Sequence, residues 1–111
     1  MQLKLNIYNK RNIEKTYTAE TYDIMFGTVE DLLNLIDLDK LNGKNDIEFI
    51  QAAVDVVING LGIIKPLLQD IFEGLTDDEL RNTKVSEVAS VLVTIIKFTI
   101  SQISKGNTEK N

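Results

Sequence analysis

The side chains in this chain that could do chemistry are carboxylates, lysines, tyrosines and hydroxyls, because the 111 residues include neither Cys nor His. That removes thiol nucleophiles, disulfides, thiolate or imidazole metal sites and every Ser-His pair. Asp37, Asp39 and Glu48 stand at the first, third and twelfth places of a calcium loop, but the fifth place is Leu41 and the sixth, where a sharp turn needs Gly, is Asn42. We read them as a solvated loop and a helix start. Asp77, Asp78 and Glu79, with Asp70 and Glu73 nearby, invite a magnesium or acid-base reading. Consecutive helical residues diverge, however, and capping accounts for all three. Gly60-Leu61-Gly62 lacks the third glycine and the preceding strand of a dinucleotide fingerprint, so it reads as a helix break. Lys10, Arg11 and Lys15 are too few for a phosphate-backbone footprint, and Tyr8, Tyr17 and Tyr22 read as strand packing rather than as base-stacking platforms. No catalytic, cofactor-binding or metal-binding residue is assigned, no cofactor is expected, and the chain is read as a non-enzyme.

The elements around these residues say more. The net charge of −5 opposes a nucleic-acid partner, and the polar interruptions of Val85 to Ile103 oppose a membrane span. The length suits one domain over 1–104, with a hairpin at 2–19, a helical part at 21–104 and a flexible tail at 105–111. The expected class is α+β, helix-dominated: an N-terminal β-hairpin plus about four mostly antiparallel helical segments. Leu3, Leu5 and Ile7 alternate with polar residues, 9–12 supplies a turn, and Ile13, Tyr17 and Ala19 resume the two-residue period. Thr28 reads as the cap of a helix ending near Asp37, and 37–44 as a loop. Asn45 caps the next helix, whose seam Ile47, Ile50, Val54, Val57, Leu61, Ile64, Leu68 and Ile71 runs through a break expected between Asn59 and Lys65. Gly74 ends it, and Thr76 with Glu79 forms a capping box.

From Thr83 to Ser104 a final helix carries Val85, Ala89, Leu92, Val93, Ile96, Ile100 and Ile103 on one side and Val88, Val91, Ile95 and Phe98 on the other. At ~100° per residue the apolar arc is roughly 220°, more than one small domain needs to cover. The expectation is that Val88, Val91, Ile95 and Phe98 meet another chain, making the protein a homo-oligomer.

Tyr22 to Leu33, Ile64 to Leu80 and Asn82-Thr-Lys-Val85 together resemble the tail assembly chaperones of long, flexible-tailed phages of Gram-positive bacteria; the most telling stretch is Asp70-Ile-Phe-Glu-Gly-Leu-Thr-Asp-Asp-Glu-Leu80. The resemblance implies a late, non-enzymatic protein of the infected host's cytoplasm. It would bind the tape-measure protein, help recruit tail-tube protein, and be absent from the mature virion. The alternative is a structural tail or connector component retained in the virion.

Overall fold

A computed structural model describes residues 2–36 and 45–109. It comprises strands β1 (Gln2–Asn9) and β2 (Asn12–Glu20), a single 3-10 turn (Thr21–Asp23), and helices α1 (Phe26–Leu35), α2 (Asp46–Asn59), α3 (Leu61–Ile71), α4 (Asp77–Leu80) and α5 (Val85–Glu109). The class is α+β and helix-dominated. The expected loop at 37–44, with Asp37 and Asp39 of the calcium reading, lies outside the described residues. Residues 105–109, expected to be tail, continue α5 as helix.

The hairpin is antiparallel, and alternation along β1 buries Leu3, Leu5 and Ile7. Leu3 faces Ala19, Leu5 faces Tyr17 and Ile7 faces Lys15, but Tyr8 faces Ile13, so Glu14 is an extra residue in β2. A bulge of this kind shifts the two-residue phase, and a side chain beyond it changes sides. Ile13, expected on the face of Tyr17 and Ala19, is consequently exposed.

Local signals set most helix ends. The Asn45 side chain accepts from the Glu48 amide at 2.9 Å while Glu48 accepts from the Asn45 amide at 3.2 Å, which closes the capping box of α2. Thr76 and Glu79 do the same for α4, at 3.1 Å in each direction. Gly74, with φ +90°, supplies the left-handed residue beyond α3, two places after its C-cap Phe72. Thr28 is not a cap: α1 starts a turn sooner, after an extended Met25, and Thr28 is buried inside it. The Thr28 amide donates to the Met25 carbonyl at 3.1 Å, which removes the need for a side-chain acceptor there.

The break expected between Asn59 and Lys65 falls at Gly60, where α2 and α3 meet at a bend of 106°. A Cβ at Gly60 would lie 2.9 Å from the Val56 carbonyl oxygen, so glycine lets the chain turn there. Pro66 sits in the middle of α3, where it costs the helix one hydrogen bond.

The core gathers Leu3, Leu5 and Ile7 of the hairpin, Leu32, Ala53 and Val57, Ile64, Leu67 and Leu68, Phe72, and one long run of α5. Helix α5 is packed by β1, α1 and α2, which cover it from several directions. As a result Val88, Val91 and Ile95 are 4 %, 3 % and 2 % exposed, inside a single chain. The expectation that they form a contact surface for another chain is corrected: β1, α1 and α2 pack around α5 and bury the side that seemed spare in the sequence. Phe98, one turn further on, is half-buried.

Candidate functional site: two apolar surfaces

The unpartnered apolar surface lies instead on α2. Its inner side presents Phe49, Ala52, Ala53, Val56 and Val57 to the core, the alanines allowing close approach to α5. Counting ~100° per residue, Ile47, Val54 and Ile58 lie opposite, with Ile50 beside them. Ile47 and Ile58 are 68 % and 59 % exposed, Ile50 is exposed and Val54 half-buried. From Ile47 to Ile58 this stripe is about 17 Å long at 1.5 Å per residue. The seam expected to face the core over its whole length does so from Val57 onward, excepting Leu61. Over Ile47 to Val54 the helix turns its other apolar side inward. The charged residues of α2 are Asp46, Glu48 and Asp55, with no Lys or Arg.

The second surface is a recess of about 410 Å³ between the 3-10 turn, α1 and α5, lined by Tyr22, Phe26, Val29, Leu33, Ile95 and Phe98 among others. Here two of the four side chains assigned to protein contact, Ile95 and Phe98, reach a shared wall, while Val88 and Val91 do not line it. The Tyr22 and Phe98 rings meet edge to face with centroids 5.1 Å apart. Phe26 is 80 % and Tyr22 74 % exposed, and Met25 beside them is similarly open. Nothing in the residue types of this region signals a recess; the clue available was three large apolar residues close together at Tyr22, Met25 and Phe26.

The remaining chemical candidates are spread apart. Glu79 accepts from the Tyr17 hydroxyl at 2.6 Å and from Lys15 Nζ at 3.3 Å, besides closing its capping box. These bonds, led by that from Tyr17, hold its carboxyl down at about 2. Asp77 accepts from Gln69 at 2.7 Å and lies 3.9 Å from Lys65. Glu87 accepts from Asn6 at 2.8 Å and from the Tyr8 hydroxyl, whose pKa that bond raises. Tyr17 packs on Phe72 at 6.4 Å, and Lys84 lies 4.5 Å above the Tyr8 ring, so each tyrosine serves packing between the N-terminal segment and the helices. Among the described residues no group of Asp and Glu is placed to hold a metal ion. No single helix among them is long and apolar enough to cross a membrane; α2 and α3 reach that composition only together, across their bend.

The chain matches no family model, no curated protein and no solved structure.

Proposed function

We propose that this protein is a non-enzymatic helix-binding chaperone of phage tail assembly, acting on the tape-measure protein and assisting assembly of the tail tube. The observation that carries the reading is the two-sided character of α2: one apolar side closes the core and the other exposes Ile47, Ile50 and Ile58 over three helical turns, with Val54 half-buried among them. An open row at this spacing suits an amphipathic helix laid alongside it, with residues at i, i+3 and i+7 as anchors. The carboxylates of α2 and the net charge of −5 keep such a surface in solution and repel further copies once it is filled. In this reading the stripe also mediates self-association when no client is present. The protein works in the host cytoplasm and leaves before the virion is complete.

Co-expression with the tape-measure protein of the same phage tests this. The expected result is a soluble complex, lost on Ile58→Asp, with the chaperone undetectable by mass spectrometry in purified particles. Stoichiometric retention in those particles would instead assign it to the finished tail or connector.

A further inference from the structure

We infer that the recess between the 3-10 turn, α1 and α5 is a second docking site, shaped for a basic amphipathic helix of another protein that brings an arginine or lysine against its aromatic wall. One of the residues that line it carries an unmet polar group. Thr21 borders the recess and is 97 % buried by its 3 % exposure, yet its Oγ1 has no hydrogen-bond partner. A buried hydroxyl without a partner is costly, and it belongs to a residue that lines the recess.

The walls narrow the identity of a donor for it. Tyr22, Phe26 and Phe98 offer ring faces and edges, which suit the apolar stem of a long cationic side chain and attract its charged head. Around them, residues 21–36 include Asp23, Glu30 and Asp31 and no Lys or Arg. Glu30 follows Phe26 by one helical turn and precedes Leu33 on the same side of α1, which sets a carboxylate at the rim. Lys97 of α5, next to Phe98, is turned to α2, where its Nζ lies 2.5 Å from Asp46 and 5.6 Å from the Phe49 ring centre. The part of the rim drawn from residues 21–36 is therefore negative.

A second copy is a poor occupant. Pairing the recess with itself would oppose Asp23 and Glu30 of each copy, and the chain as a whole carries 17 acidic against 12 basic residues. A polyanion or an anionic lipid surface meets the same repulsion. A helix with Lys or Arg flanking apolar anchors meets attraction at the rim, aromatic area on the walls and, at Thr21, a hydroxyl that still lacks a partner.

This inference rests on the reading of the chain as a helix-binding protein but concerns a different surface, and the test separates the two. The probes are fluorescent amphipathic peptides of about five turns, one of Leu with Arg and Lys, its twin with Glu in their place. Fluorescence anisotropy on the full-length protein should show binding of the basic peptide only. Phe26→Ser, at an exposed position, should abolish it. Asp23→Asn with Glu30→Gln should weaken it about threefold to tenfold at low salt, with the difference shrinking as salt rises. Thr21→Val, which removes the unpaired hydroxyl at nearly constant shape, should raise thermal stability and weaken the peptide; a rise in stability with unchanged affinity would overturn the assignment of that hydroxyl to a ligand. Equal binding of both peptides would overturn the charge complementarity. Loss of binding in Ile58→Asp with retention in Phe26→Ser would overturn the recess as the site while leaving helix binding by α2 intact. Concentration-dependent dimers abolished by Phe26→Ser, seen by sedimentation, would assign the recess to a second copy and overturn the proposal.

Discussion

The Tyr17 hydroxyl donates to Glu79 Oε1 at 2.6 Å, joining the middle of β2 to the first turn of α4 across 62 positions of sequence. The same carboxylate closes the capping box at Thr76 and receives Lys15, so a single side chain ties hairpin, turn and helix together.

Acid should loosen this junction in a defined window. The Glu79 carboxyl is held at about 2 against an ordinary 4.5. Because the folded value is the lower one, the unfolded chain takes the proton first as pH falls. The stabilisation is therefore whole above about pH 4.5 and is lost as pH drops towards about pH 2. Denaturant unfolding of wild type and Glu79→Gln across that window should show the two curves converging as the solution becomes acidic. Tyr17→Phe, which removes the leading donor, should narrow the window from below.

Two neighbouring glycines should respond in opposite directions. Gly60→Ala drives a Cβ to 2.9 Å from the Val56 carbonyl oxygen at the bend and should cost about 1–3 kcal/mol. A Cβ at Gly62, inside α3, meets nothing within 4 Å. Gly62→Ala should accordingly gain about 0.5–1 kcal/mol through helix propensity and a less flexible unfolded chain. Thermal melts of the pair decide it.

Substitutions on the two sides of the bundle should likewise separate stability from binding. Leu92 is fully buried on α5, and Leu92→Ala should cost about 2–5 kcal/mol. Ile58→Asp, on the open side of α2, should change folding stability by no more than about 0.5 kcal/mol while removing capture of an apolar helix. Urea unfolding measures the first quantity, and co-sedimentation with the client the second.

What could be read from sequence divides by range. The capping boxes at Asn45 and Thr76 and the left-handed Gly74 are local: their donors, acceptors and backbone demands sit within a few residues, so composition alone reveals them. The hairpin was equally legible, apart from the extra Glu14 that carries Ile13 to the other face. The rotation of α2 was not. Phe49, Ala53 and Val56 on one side compete with Ile47, Ile50 and Ile58 on the other, and two apolar arcs give a period without a preference. Close packing on α5 makes the choice, favouring the side whose small alanines let the helices approach. The same competition explains α5, where Val88, Val91 and Ile95 looked spare only because the sequence cannot say how fully β1, α1 and α2 surround them.

The double duty of α2 also couples recognition to folding. An occupant gripping its outer isoleucines holds the very rod whose inner residues seal the hydrophobic interior, so it selects the native chain over the unfolded one. Mass action then raises the melting temperature with occupant concentration, and a simple heating curve becomes a sensor for whatever the stripe accepts.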